Sequence, residues 1–535
     1  MTMKRALTTG CAAPALLAAS LSILPAILPA GPAAAAPFAC PSRGGNLVFG
    51  QEANVNSLDQ MTSSTISTRN IAMNIYESLV TRDENNKPIA ELAESFEESA
   101  DRLAYTFRLR QGISFHNGKP MTSADVAASF DRYKRIGLQR STLDNVAGWE
   151  TPDPATFVIR MSKVQPTFIE ALSSFSVPIV IIPAEHKDDA PQQLRPVGTG
   201  PFRLVEFVPG SHARLARFDN YRPNAAFEEA TGFGGYKQAC LDTVTFRIVT
   251  EASARVAGLE TGELQGVEDI PTQSVEAMRK NPNVTVLPLK NWWIQIALPN
   301  TAHAPTSNLR FRQAVQAALG MEDIMDAATD NNYTLNVGFQ YPNQPSYTDA
   351  GKETYNINDP ERAQKLLRES GYKGEPIVIL TNRDYAPMYN AALVMQQQMQ
   401  AVGIKAELKV VDWPTSVQMS QKVNSTEWHF FHSGWGTQPA LGALATMQFL
   451  AAPGANYRPR DDKPDPEVEA AWSDMNTKPT EAERNAAFAR MQKLVLERAY
   501  AYPFGSLTKV QAVRANVQNF RPFRIPRFSN VWIKP

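Results

Sequence analysis

From residue 46 to residue 513 the sequence alternates short stretches of apolar residues at a spacing of two with longer stretches at helical spacing. It does so without an internal repeat or a low-complexity tract after residue 40. This alternation, carried over a chain of 535 residues, predicts an α/β protein of two major lobes, because the length is several times that of a typical single domain. Strands are expected at 46–51, 103–110, 243–249, 292–298, 377–380, 404–411 and 428–431, with two final ones near 502–504 and 509–513. A hairpin is expected from 202–207 and 213–218 around Pro209-Gly210. Helices are expected at 66–80, from a Thr122 or Ser123 cap through Val126 and Phe130, and at 309–319, 359–370, 387–402 and 481–498. Gly371 and Gly403 stop two of them.

The N-terminus has a different character. Lys4 and Arg5 precede a run without charge from Ala6 to Ser42, with an apolar centre at 16–28 and a small-residue end at Gly31-Pro-Ala-Ala-Ala-Ala36. A basic start, a short apolar centre and a small-residue end form a secretory signal peptide, here expected over 1–35. Pro25 and Pro29 and the short apolar centre disfavour a membrane anchor. Pro37-Phe-Ala-Cys40 fits a lipid-attachment box poorly.

The whole chain balances 53 basic against 53 acidic residues, and loss of Lys4 and Arg5 leaves a net charge of −2. Such a balance argues against a nucleic-acid surface, which needs a basic excess. Cys40 and Cys240 remain after the signal. In an oxidising compartment they form either one bridge or two independent buried thiols.

Enzyme signatures are sparse. There is no G-x-S-x-G elbow. Ser506-Leu-Thr-Lys509 matches the S-x-x-K pattern of penicillin-interacting hydrolases, but it falls in an expected strand and no K-T-G follows it. A secreted serine hydrolase using Ser506 and Lys509 is therefore the alternative from another class. His429 and His432, three apart on an expected strand, point to opposite faces and do not converge on one metal. Neither a metal nor a cofactor is expected, and ligand binding becomes the leading class.

Five stretches share one signature. They are Gly45 to Asp59 with its Ser-Leu-Asp turn; Ala90 to Val126 with Phe115-His-Asn-Gly118 and Thr122-Ser-Ala-Asp-Val126; Val197-Gly-Thr-Gly-Pro-Phe202 with Asn220-Tyr221; Asn308-Leu-Arg-Phe-Arg-Gln-Ala-Val315; and Gln397 to Ile404 followed by Val411–Trp413. In this order they resemble the periplasmic solute-binding proteins of ABC importers, specifically solute-binding family 5, the peptide/nickel type. The resemblance implies a two-lobe periplasmic-binding-protein fold of cluster C type, with hinge strands and an extra subdomain in the first lobe. Lobe I is then expected from 41–76, 183–250 and 500–535, the added subdomain from 77–182, and lobe II from 251–499. It also implies a monomer that closes around its ligand in the periplasm and docks on an inner-membrane permease served by an ATPase. Some relatives bridge an N-terminal Cys to one near the end of the first lobe, where Cys40 and Cys240 stand.

The resemblance also points to binding residues. Peptide-binding members hold a free amine with the Asp of a G-W-x-x-D pattern. Here Gly434-Trp435-Gly436-Thr437-Gln438 puts Gln438 in that place, and a neutral amide does not supply the charge-assisted bond a buried ammonium needs. That favours a neutral, anionic or amine-blocked ligand, unless an acid comes from elsewhere. Arg383 stands at the place of a ligand-carboxylate clamp, or else pairs with Asp384. Ser63, Ser64 and Thr65 align with a ligand-contacting loop, or else cap a helix. Trp413 and Trp435 fall in segments that wall the cleft, and at most one of Trp292 and Trp293 faces it. A small peptide-like or carboxylated organic solute is the expected ligand. An oligosaccharide, an opine or a metal chelate, and a chaperone or signalling receptor reusing the fold, stay open.

Overall fold

A computed structural model of the chain describes residues 37–535 apart from 86, 343, 345, 423, 437–442 and 452–464. Two long antiparallel strands, Val284–Pro299 and Tyr502–Arg514, run side by side and hold the architecture together. The sequence pattern marks only 292–298 of the first and splits the second in two. The reason is that the first strand starts as a half-exposed ribbon, while the middle of the second buries polar Ser506 where the period-two rule expects a loop.

These strands sit in the middle of one mixed sheet. From one edge its order is Ala406–Val410, Ile377–Thr381, Phe430–Trp435, Val284–Pro299, Tyr502–Arg514, Gly266–Val267, Asn46–Gln51, Thr243–Ile248, His212–Arg217 and Phe202–Val208, with Tyr333–Thr334 pairing onto Tyr502–Arg514. Asn46–Gln51 is parallel to Thr243–Ile248, and Ile377–Thr381 is parallel to both its neighbours, as short buried strands joined through helices require. One extensive core forms around residues 292–507 and another around residues 47–246, to which the chain returns through Val513, Val517, Phe528 and Val531. Segment 252–284, expected in the second lobe, instead packs on first-half strands: Gly266–Val267 pairs with Asn46–Gln51, and Leu259, Leu264 and Val267 share a small core with Val48 and Val510.

A separate antiparallel sheet, in the order Ala93–Glu98, Ala104–Leu109, Thr156–Met161 and Val146–Asp153, carries the helix Ser123–Ile136. The Thr122 N–H donates to the Asp125 carboxylate in a capping box at the start of that helix. The helix expected over 66–80 stops at Ala72, because the following carbonyls are taken elsewhere: Ile75 accepts from the Gly200 N–H and Asn74 from the Phe202 N–H. His116 faces the same turn, its Nε2 2.9 Å from the Gly200 carbonyl, so the Phe115-His-Asn-Gly and Gly-Thr-Gly-Pro-Phe motifs meet. Cys40 and Cys240 are joined in a disulfide with Cα atoms 5.6 Å apart. Among the described residues no helix is long and apolar enough to cross a membrane.

Candidate functional site

The short helix Ile66–Ala72 supplies the first wall of a cavity of about 60 Å³. Thr65 caps it, accepting from the Thr68 N–H, and the hydroxyls of Ser63, Thr65 and Thr68 bond to one another. Ser63 and Thr65 are thereby engaged in the cap, whereas Ser64 lines the cavity. The Ser64 carbonyl accepts from Arg69 Nη2 at 2.9 Å. Helical side chains lean toward the N-terminus, so Arg69 reaches back along its helix to the cavity.

The second cation arrives from the far end of the chain. Arg524 donates from Nη1 to the Trp292 carbonyl at 2.7 Å, and its guanidinium lies 5.6 Å from the Trp292 ring centre. It rests on the backbone at the end of the strand Phe430–Trp435. A β-carbon at Gly436 would meet Arg524, and one at Gly434 would stand 2.5 Å from the Trp293 ring. The Ser-Gly-Trp-Gly stretch thus uses two glycines to let an indole and a guanidinium touch the main chain.

Arg69 and Arg524 are 5% and 2% exposed. Burial pushes Arg69 down to about 9, with the charge of Arg524 adding to the shift, and pushes Arg524 down to about 10. No carboxylate among the described residues lines the cavity or forms an ion pair with either. Several other buried cations are paired with carboxylates: Lys237 with Glu77 and Glu91 at 2.8 Å each, Arg132 with Asp59, and Lys509 with Glu52 and Glu268. The Nε atoms of Arg69 and Arg524, the Tyr385 hydroxyl and the Trp413 Nε1 are buried without a hydrogen-bond partner among the described residues. The cavity therefore offers donors and aromatic faces, with the polar character of an anion site.

Trp413 opens the helix Trp413–Gln421, its main-chain N–H donating to Asp384 at 2.7 Å, and its ring stacks 6.1 Å from Phe431. Tyr385 stands edge-on to both Trp293, at 5.5 Å, and Trp413, at 5.4 Å. Trp293 and Tyr385 also border a second, larger cavity of about 530 Å³ that contains Glu52, Asp269, Arg383 and Asp384.

Of the residues singled out in the sequence, Ser64, Trp413, Trp435 and Gly436 come together in the first cavity. Thr437 and Gln438 lie outside the described residues, so the reading of Gln438 does too. Arg383 lines the second cavity only, and it does not pair with Asp384: its guanidinium sits 4.8 Å over the Tyr389 ring and donates to the Tyr389 hydroxyl at 3.0 Å. Trp293 faces the cavity while Trp292 is buried behind it. Arg69, Arg524 and Tyr385 were invisible to sequence reasoning. The one local signal is an arginine inside a helix whose seven residues are all buried.

Ser506 and Lys509 are not arranged as a nucleophile and its base. Ser506 donates to the Asn291 side chain and the Thr334 carbonyl, while Lys509 is held by Glu52 and Glu268 and lies 4.8 Å from the Trp292 ring centre. His429 accepts from the Val378 N–H at 3.0 Å, whereas His432 is fully buried beside Met395 and pushed down to about 3.

The family model for bacterial extracellular solute-binding proteins, family 5 (middle region), matches residues 87–457. A probable peptide ABC transporter periplasmic-binding protein of Sinorhizobium fredii is 27% identical over 89% of this chain and 92% of its own length. A glutathione-binding protein of Salmonella typhi is 26% identical over 76% of this chain and 78% of its own. The solved structure of a periplasmic binding protein from A. tumefacien R10 in complex with agropinic acid is 25% identical and superposes with a TM-score of 0.80, over 92% of this chain and 99% of the other.

Proposed function

The chain belongs to the bacterial extracellular solute-binding proteins of family 5, and on that premise we propose that its two lobes close around a small peptide-like or carboxylated organic solute at the Arg69–Arg524 cavity. It is the binding component of an ABC importer, a two-lobe α/β protein like its structural neighbours. The observation that carries the ligand reading is the pair of buried arginines that pair with no carboxylate among the described residues. A buried charge without a partner is costly, and an anionic ligand removes that cost.

Closure follows from the same geometry. Arg69 belongs to the first half of the chain, and Trp413, Trp435 and Gly436 to the second, so a ligand touching both favours the closed form. The aromatic walls contribute apolar area and stacking beside the charged end. Relatives described as binding glutathione and agropinic acid, both acids, support this ligand class. Further parts of the proposal are export by the 1–35 signal to the periplasm, monomeric action, a Cys40–Cys240 bridge fixing the mature N-terminus, and delivery to a permease driven by a separate ATPase. The engagement of Lys509 with Glu52 and Glu268 supports binding over hydrolysis.

A thermal-shift screen of the mature protein against amine-blocked peptides, amino-acid-derived acids and neutral oligosaccharides tests the ligand class. The carboxylated members raise the melting temperature with concentration and the oligosaccharides do not. A shift confined to oligosaccharides overturns the reading.

A further inference from the structure

We propose that the solute presents two acidic groups to Arg69 and Arg524 together, so that its chemical class is a dicarboxylic, or otherwise doubly acidic, small molecule. The inference rests on the cleft reading above and goes further by counting charge. Both guanidiniums border one cavity, both are buried, and each keeps an Nε without a hydrogen-bond partner. Their present acceptors are main-chain carbonyls, of Ser64 for Arg69 and of Trp292 for Arg524, which carry no compensating charge.

A single carboxylate leaves one full positive charge uncompensated between indole and phenol rings, where water does not screen it. Two acidic groups neutralise both, and each accepts from a planar fork of donors. Elsewhere the chain sets carboxylates against its buried lysines: Lys237 and Lys509 each lie against two.

Nearby protein acids are otherwise engaged. Glu52 and Glu268 belong to Lys509, and Asp384 accepts from the Trp413 N–H. Residues 437–442, which follow Gly436, contain no acidic residue in the sequence. The Tyr385 hydroxyl and Trp413 Nε1 supply further donors at the same cavity, which suits an acid with more than one group of acceptor oxygens.

The test uses the full mature protein and four diacids of increasing length, malonate, succinate, glutarate and adipate, each compared with its own monoamide by calorimetry and thermal shift. At least one diacid is expected to bind about tenfold or more tightly than its monoamide. Arg69→Gln and Arg524→Gln, checked for folding by circular dichroism, each reduce that ratio to less than about threefold. If no diacid exceeds its monoamide, silence from all eight included, the inference is overturned. Equal binding of diacid and monoamide overturns it while leaving the carboxylated-solute reading intact. Binding of neutral sugars alone overturns both. Where a variant does not fold, the wild-type comparison decides.

Discussion

The Arg524 guanidinium lies against the backbone of Gly436 so closely that a β-carbon at 436 would collide with its Nη1. Gly436 is therefore the floor on which the cation rests, and Arg524 has no room to share it. Gly436→Ala is expected to displace Arg524 and weaken acid binding at least about tenfold, with a stability loss of about 1–3 kcal/mol from overpacking. Titration calorimetry and urea denaturation on one preparation separate the two effects. Unchanged binding in a folded Gly436→Ala protein removes Arg524 from the site.

Lys509 lies against Glu52 and Glu268, Arg255 stands as a second cation 3.6 Å from Glu52, and Lys509 also lies 4.8 Å from the Trp292 ring centre. Lys509→Met leaves buried carboxylates without that partner and is expected to cost about 3–5 kcal/mol in urea unfolding. Adding Glu52→Gln recovers part of the loss, because it removes one of the stranded charges. A single variant as stable as wild type contradicts this description of the strand pair.

The cluster of Glu77, Glu91 and Lys237 carries two acids on one lysine, and burial, opposed by Lys237, pushes Glu91 up from 4.5 to about 7. The folded state then holds a proton on Glu91 that the unfolded state has released between these values. Its contribution to stability is full below about pH 4.5 and is lost as pH rises through about 7. His116 and His429, both pushed down to about 4, tilt the curve the other way below 6.5. Comparison with Glu91→Gln isolates the carboxyl group: wild-type stability relative to the variant falls from pH 5 to pH 8. A relative stability that rises over this range means Glu91 stays charged.

Cys40 and Cys240 close a loop spanning 200 residues. Reduction, or the double Cys→Ala variant, is expected to destabilise by about 2–5 kcal/mol. Calorimetric melting with and without reductant reads this directly, and identical melting contradicts a stabilising bridge.

The order of strands and helices was legible where apolar spacing was regular, as in Asn46–Gln51, the hairpin Phe202–Val208 and His212–Arg217, and Pro360–Ser370 with its Gly371 stop. It failed where tertiary contacts override the local pattern. The helix from Ile66 ends at Ala72 because its would-be carbonyl acceptors serve residues 200–202, and Tyr502–Arg514 stays a single strand because its polar middle is buried. At the site, Trp413, Trp435 and Ser64 followed from family resemblance. Arg69 and Arg524 did not, since a buried arginine held by main-chain carbonyls has no signature in one dimension. Arg383 stands at the second cavity, and its cation lies over the Tyr389 ring six residues on, a contact no motif spells out.

An anionic small molecule is the ligand proposed between Arg69, Arg524 and the tryptophan walls. Native mass spectrometry of the freshly purified mature protein, followed by denaturing extraction and identification of what is released, tests it most directly. One carboxylated small molecule per chain is expected, lost in the Arg69→Gln/Arg524→Gln double variant. A stoichiometric neutral sugar, or a cationic solute retained by that variant, would contradict it.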